Sequence, residues 1–376
     1  MVSHGKALAT TRRVVIFRTD ASLEIGTGHV MRCLTLASVL RERGVLCQFV
    51  CREHPGHLVD QIRHRGFDAY VLPFVCKLAS GGTLPGSSQS AHLPGTDWVT
   101  DAQQTRDLLN DTLVDYLIVD HYALDVNWER SLRSSCRQLM VIDDLANRFH
   151  DCDILLDQNL HTDAVLRYRP LVPASCRLLL GPSHVLLSPA FDAPAPRLRN
   201  GEIRTVLVYF GGNDINNQAG RTVEALTHFP DIHADVILGT AHPYREMVFA
   251  AARGYGQLRV IDNCTDMAGA MRWADLGVGT CGMAAWERCA VGLTTLVSVS
   301  ADNQREDAEA LDRLGAVEHL GEARDIDAAR WIDAISRALA DSRRIMRMGE
   351  IARSIVVGHQ ENRRILIDLL TGFHVC

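Results

Sequence analysis

No apolar run in this 376-residue chain reaches the roughly 20 residues that a membrane-spanning helix needs. The start, Met1-Val-Ser-His-Gly-Lys-Ala-Leu-Ala-Thr, has no apolar core of the kind a secretory leader carries, so a cytoplasmic protein is expected. An excess of basic residues is also missing. The formal net charge is −6, which leaves no electrostatic footprint for nucleic acid. Among eleven cysteines none has C-x-x-C spacing, and the count is odd. The nearest approach to a metal pattern, Cys47-x-x-x-Cys51-Arg-Glu-His54, reads as the end of a strand rather than a zinc site. Cys33, Cys136, Cys176, Cys281 and Cys289 sit in apolar surroundings, where a thiol packs as a small hydrophobe. No metal and no cofactor are expected. A complete dinucleotide fingerprint is absent too: Gly26-Thr-Gly28 is followed by Met31 where the third glycine would stand, and no Walker lysine follows.

What is present is a strand-helix rhythm, at a length that suggests two domains. Strands are predicted at 14–18, 46–51, 69–72, 116–120, 138–142, 153–156 and 177–180, with helices such as 29–43, 56–65, 98–113 and 126–135 between them. That alternation implies βαβ units and a parallel sheet. A Gly-, Ser- and Pro-rich stretch at 79–95 interrupts it as a surface loop. The segment Ala193-Pro-Ala-Pro-Arg-Leu-Arg-Asn-Gly201 reads as a linker. Alternation restarts at 203–210 and runs to a helix at 303–314, and 328–372 is helical with little strand. The expected architecture is α/β, two doubly wound Rossmann-like domains facing across a cleft. They span 12–195 and 202–345, and a helical segment at 346–376 packs back towards the first.

Ligands of such sheets bind beyond the carboxyl ends of the strands, and five motifs fall there. Val14–Phe17 runs into Arg18-Thr-Asp-Ala-Ser-Leu-Glu-Ile-Gly-Thr-Gly-His-Val-Met-Arg32. Gly26 and Gly28 let a ligand approach the backbone, the following helix start favours an anion, and His29 is suited to proton transfer near neutral pH. Leu117-Ile-Val ends in Asp120-His121-Tyr122, where Asp120 could equally cap the next helix. Val141-Ile ends in Asp143-Asp144, a carboxylate pair open to metal binding, capping or packing. In the second half, Val206–Phe210 enters Gly211-Gly212-Asn213-Asp214, whose amides could cradle a phosphate. Finally Gly279-Thr-Cys-Gly282 leads into a helix carrying Glu287. The loop and helix start suit a pyrophosphate, and the carboxylate one turn on suits the two hydroxyls of a ribose. Ser300-Ala-Asp302-Asn303-Gln304 follows with amides that donate and accept. A nucleotide-sugar site in the second domain is the natural reading.

Arg18-x-Asp-Ala…Ile25-Gly-x-Gly-His-Val-Met-Arg-Cys-Leu, Asp120-His-Tyr, Ile142-Asp-Asp-Leu, Cys152-Asp-Ile-Leu-Leu-Asp-Gln-Asn159, Gly211-Gly-x-Asp214, Ala285-x-Glu287…Gly292-Leu and Ala301-x-Asn-Gln304 form an ordered set over about 15–310. This set resembles the UDP-sugar hydrolase family of pseudaminic acid biosynthesis (PseG), related to the spore-coat polysaccharide protein SpsG. The resemblance implies a GT-B fold similar to MurG. It implies hydrolysis of UDP-2,4-diacetamido-2,4,6-trideoxy-β-L-altropyranose to UDP and the free sugar, within flagellin glycosylation, without a metal. It gives His29 the part of base, and makes Tyr122 and Asn303 active-site residues. Asp20, Gly26, Gly28, Arg32, Gly211, Gly212, Asp214, Gly282, Glu287 and Gln304 are the expected substrate ligands. Two departures stand out: the 79–95 stretch looks like an insertion, and Asn213 stands where Thr or Ser is common.

The competing reading is a GT-B glycosyltransferase that passes a UDP-linked amino sugar to an acceptor, since both chemistries need a base and a UDP site. A sugar-nucleotide-binding protein without turnover is the third, and the joint presence of His29, Tyr122 and Asn303 speaks against it. The only expected partner is a small UDP-sugar, with no nucleic acid and no membrane.

Overall fold

The computed structural model describes residues 12–74, 97–110, 112–192, 199–239, 242–262 and 264–372. The loop expected at 79–95 and residues 193–198 of the linker lie outside them.

The first domain contains β1 (Val14–Thr19), α1 (Gly28–Glu42), β2 (Leu46–Arg52), α2 (Val59–His64), β3 (Asp68–Leu72), α3 (Trp98–Leu109), β4 (Val114–Asp120), α4 (Val126–Leu132), β5 (Cys136–Ile142), β6 (Ile154–Asp157), α5 (Ala164–Tyr168) and β7 (Arg177–Leu180). Its seven strands are all parallel, in the order β3-β2-β1-β4-β5-β6-β7. Both faces are covered, and strand β1 shows why. Val15 and Phe17 point to one side, where they meet Cys33, Leu34 and Ala37 of α1, and Phe17 stacks on Phe49 with centroids 4.9 Å apart. Ile16 points to the other and packs with Val50, Leu117 and Trp128. A strand buried on both faces carries a continuous apolar run, as this one does.

The second domain repeats the scheme with β8 (Thr205–Tyr209), α6 (Gln218–Leu226), β9 (His233–Leu238), α7 (Arg245–Ala252), β10 (Leu258–Asp262), α8 (Met267–Trp273), β11 (Leu276–Thr280), α9 (Met283–Ala290), β12 (Thr295–Val299), α10 (Arg305–Leu314) and β13 (Val317–Glu322). The order is β10-β9-β8-β11-β12-β13, again parallel. Strand β13 was not among the expected strands. It lies at the sheet edge, and only Val317 and Leu320 of Val-Glu-His-Leu-Gly-Glu are buried, so its apolar period is too thin to read.

Three helices close the chain: α11 (Ala328–Ala340), α12 (Ser342–Ile355) and α13 (His359–Thr371). Helix α12 packs on α9. Helix α13 crosses to the first domain, where Leu366, Ile367 and Leu370 join the core beneath α1. Tyr116 Oη donates to the Leu369 carbonyl at 3.0 Å, and Arg363 donates to the Leu187 carbonyl at 2.8 Å. None of the helices among the described residues is long and apolar enough to cross a membrane.

In each sheet the strand order reverses between two central neighbours, β1/β4 in the first and β8/β11 in the second. The crevice of a doubly wound sheet opens at that point. The loops after β1 and β4 therefore face the loops after β8 and β11, and the motifs met in the sequence occupy all four.

Candidate active site

A cavity of about 330 Å³ lies between the domains. The first domain lines it with 23–29, Met31, Arg32, Tyr122, Asp144, Gln158 and Asn159. The second contributes 209–213, Ile215, 280–284, Trp286, Glu287, Ser300, Ala301, Asn303, Gln304 and Asp307.

The β1–α1 turn sets the geometry on the first side. Ser22 bridges to Gly26, and Gly26 turns with φ +81°, a conformation that disfavours any residue with a side chain. Helix α1 then starts at Gly28 and presents His29 in its first turn, 6% exposed. Residues three apart on a helix share a face, so Arg32 follows His29 towards the end of β4. There Asp120 receives both. His29 Nδ1 lies 2.5 Å from Asp120 Oδ1, and Arg32 donates to Asp120 twice, from Nε and Nη2, each at 2.6 Å. Burial pushes the Asp120 carboxyl up, but Arg32 and then His29 outweigh it and hold the group well below the usual carboxylate range. An ionised Asp120 keeps the imidazole proton on Nδ1 and leaves Nε2 as an acceptor.

Arg32 also reaches Asp144 Oδ2 at 3.2 Å, and Tyr122 Oη donates to the same oxygen at 3.3 Å. Asn303 Nδ2, from the second domain, donates to Tyr122 Oη at 2.9 Å. The Tyr122 ring meets His29 edge-on, with centroids 4.4 Å apart. Thus His29, Tyr122 and Asn303, far apart in the chain, come together at one point of the cleft. Burial raises the Tyr122 hydroxyl and the Asp144 carboxyl alike, the neighbouring Asp144 charge adding to the first.

The second side is built from backbone. After β8, Gly211 turns with φ +86°, and Gly212 lies against Thr27 of the facing loop. Strands β8 and β11 run so close at Gly279 that a Cβ there would stand 2.2 Å from the Tyr209 carbonyl oxygen. Beyond β11, Gly282 begins α9 with its N-terminus towards the cavity. Glu287 is half-buried with no side-chain bond among the described residues, and burial pushes its carboxyl up to about 7. Gln304 accepts from the Ser300 amide at 3.1 Å, while its Nε2 lies beside Gly282.

Two expected ligands have other partners. Asp20, 1% exposed, does not line the cavity. It lies just past the end of β1 and faces β2, where it accepts from Arg18 Nη1 and the Arg52 amide, each at 2.7 Å, with His121 Nε2 at 3.0 Å. Asp214, 3% exposed, takes the Gln218 and Ala219 amides at 2.9 and 2.7 Å and so holds the start of α6. Arg32 does line the cavity, but its guanidinium is engaged by Asp120 and Asp144 rather than turned to a ligand. Helix α4 is capped by Asp125, not Asp120. Of the carboxylate pair, Asp143 turns inward to Arg148 and the Ala146 amide, and only Asp144 reaches the cavity. Cys47 and Cys51 are buried in the core with their thiols pushed up by burial, and His54 faces Asp20. Among the described residues no group of three or more His, Cys, Asp or Glu is placed to hold a metal.

Gln158, Asn159 and Asp307 line the cavity without having been singled out as site residues. Gln158 and Asn159 follow β6 in a motif that was in view, but Asp307 lies on a polar helix turn whose neighbour, the Leu160 amide, is 147 residues away.

Two parallel α/β domains meeting across such a cleft define the GT-B class. MurG of Acinetobacter baumannii superposes with a TM-score of 0.59 over 96% of this chain and 99% of its own, at 15% identity. No protein-family model matches the chain. In sequence it is 28% identical over 203 residues to the UDP-2,4-diacetamido-2,4,6-trideoxy-beta-L-altropyranose hydrolase of Campylobacter jejuni, covering 54% of this chain and 62% of that protein. It is 28% identical over 155 residues to the spore coat polysaccharide biosynthesis protein SpsG of Bacillus subtilis, covering 40% and 46%. The chain is PseG/SpsG-like. It spans about half to three-fifths of the length of the curated relatives it matches.

Proposed function

We propose that this protein hydrolyses a UDP-linked amino sugar to UDP and the free sugar, the substrate being the diacetamido-trideoxy-altrose nucleotide named for the Campylobacter relative. One observation carries the reading. A histidine whose Nδ1 is held by a buried carboxylate faces, across one cavity, a helix N-terminus followed by a glutamate with no side-chain partner among the described residues.

In this scheme the Asp120 carboxylate and the Nδ1 proton orient the His29 ring, and Nε2 takes a proton from water. The water oxygen bonds to the anomeric carbon from one face, and the bond from that carbon to the phosphate oxygen breaks with its electron pair leaving on UDP. Inversion follows from attack opposite the leaving group. The diphosphate charge meets the amides of Gly211, Gly212 and Gly282 and the start of α9. Glu287 accepts from the ribose hydroxyls, and Gln304 Nε2 donates nearby. Tyr122, clamped between Asp144 and Asn303, forms the wall beside the sugar. Asp20, Asp214 and Arg32 act through other residues in this scheme, as supports of the turns and of Asp120.

Transfer to an acceptor has its own supporting observation. Leu23 and Ile215, 51% and 57% exposed, line the cleft rim from opposite domains and offer an apolar mouth. Phosphorus NMR of the protein with UDP-diacetamido-trideoxyhexoses separates the readings. UDP appearing in buffer supports hydrolysis, and strict dependence on an added alcohol supports transfer. His29→Ala is expected to slow UDP release by about 10²–10⁴-fold; near-normal turnover in that variant would remove His29 from the mechanism.

A further inference from the structure

Three cavity residues that the scheme above leaves without a ligand stand side by side. Asp144 and Asn159 follow the neighbouring strands β5 and β6, and Asp307 meets them from the first turn of α10. Asp307 Oδ1 accepts from the Leu160 amide at 2.9 Å, which seats it directly beside Asn159. The Asp144 side chain is 7% exposed and its Oδ1 has no partner. Asn159 is 8% exposed, and its side-chain amide has no protein partner among the described residues. Buried polar atoms left unsatisfied by protein call for a ligand or a bound water.

The charge balance narrows what that ligand carries. Arg32 is the only guanidinium bonded to this cluster among the described residues, and it is shared between Asp120 and Asp144. Of the other basic groups nearby, Arg167 and His161 face Glu306 and Asp157, and His29 is held by Asp120. Asp120 and Asp144 thus share one guanidinium, and Asp307 has none among the described residues. Burial raises the Asp307 carboxyl to about 7, with the Leu160 amide and His161 offsetting only part of the rise and no hydrogen-bond donor on its second oxygen among the described residues. A carboxylate only accepts hydrogen bonds, and an amide both donates and accepts.

We propose that Asp144, Asn159 and Asp307 form the subsite that selects the sugar by its ring substituents, with the Asp307 and Asp144 carboxylates accepting from uncharged N–H or O–H donors and excluding sugars that bear a carboxylate. The proposal rests on the UDP-sugar reading of the cleft. The residues act on specificity, since the reacting bond belongs to His29.

Calorimetry at pH 8, with Asp307 ionised, tests it using UDP, UDP-N-acetylglucosamine and UDP-glucuronate as probes. The wild-type protein is expected to bind UDP-glucuronate roughly tenfold or more weakly than UDP-N-acetylglucosamine, from the repulsion of like charges in a half-dry site. Asp307→Asn keeps an oxygen for the Leu160 amide but puts a donor in place of the second acceptor. It is expected to bring the two sugars within about threefold of each other, with the affinity for UDP alone unchanged. Asn159→Asp, adding a fourth carboxylate, widens the gap. Equal binding of the two sugars by the wild type overturns the proposal, and so does a gap that survives in Asp307→Asn while UDP binding is intact. If UDP itself does not bind, the reading of the cleft fails first and this one falls with it.

Discussion

The two walls of the cleft are opposite in how their polar groups are satisfied. On the first-domain wall, His29, Arg32, Asp120, Asp144 and Tyr122 are bound to one another by contacts of 2.5–3.3 Å. On the second-domain wall, Glu287 has no side-chain partner among the described residues, the start of α9 faces the cavity, and Gln304 Nε2 lies beside Gly282 unbonded. The network around His29 is arranged before any ligand arrives, save Asp144 Oδ1 at its edge, and the second wall holds groups that only a ligand satisfies. In physical terms the first is suited to chemistry, where donors and bases must not reorganise during the reaction. The second is suited to binding, where unsatisfied groups gain most when a partner arrives.

That contrast breaks if the first wall tolerates disorder or the second does not need its ligand. The largest effect is expected at Asp120. In Asp120→Asn the side chain keeps its shape but no longer compels the proton onto Nδ1, and Arg32 loses its anion. The expected outcome is a fall of about 10²–10⁴-fold in kcat with UDP affinity unchanged, read by single-turnover UDP release and calorimetry. A change confined to UDP affinity would assign Asp120 to binding and dissolve the division between the walls. Glu287→Gln is expected to act in reverse, weakening UDP by about 10–30-fold while leaving the single-turnover rate of saturated protein within about threefold.

How much of this could be read from the chain depends on the range of the interaction. The strands that are buried on both faces, such as Val14–Thr19, carry unbroken apolar runs, and the loops at their ends were correspondingly legible. Edge strand β13 buries two residues and was not. Within the cleft, the cavity-lining positions of His29 and Glu287 were legible because each sits at a local strand-loop-helix junction. The partners of Asp20 and Arg32 were not found, because whether a carboxylate or guanidinium faces a ligand or another side chain depends on contacts such as Arg32–Asp120, 88 residues apart. Asp20 and Asp120 lie at the ends of adjacent strands, and nothing in their local sequence says that one is sealed behind Arg18 and Arg52 while the other holds His29.

The smallest effect, and the one that probes the second wall alone, is in pH. Burial raises Glu287 from the ordinary glutamate range to about 7. Between those values the folded protein holds a proton that the unfolded chain has lost, so this group's contribution to stability is fully present below the ordinary range and is lost as pH rises to about 7. A ribose diol needs the carboxylate ionised to accept both hydroxyls, so affinity must run the other way and rise with pH through the same window, by up to about tenfold per unit, before levelling off above 7. Uridine, which has no phosphate to titrate there, isolates the effect. The expected result is two opposed slopes, thermal stability falling and uridine affinity rising from about pH 5 to 7, with the affinity slope lost and the stability slope about halved in Glu287→Gln. Asp307, raised to a similar value, retains the part of the stability slope that Glu287→Gln leaves. Uridine affinity that is flat in the wild type across that range would mean that the ribose lies elsewhere, and that the carboxylate of α9 is raised by burial without serving the nucleotide.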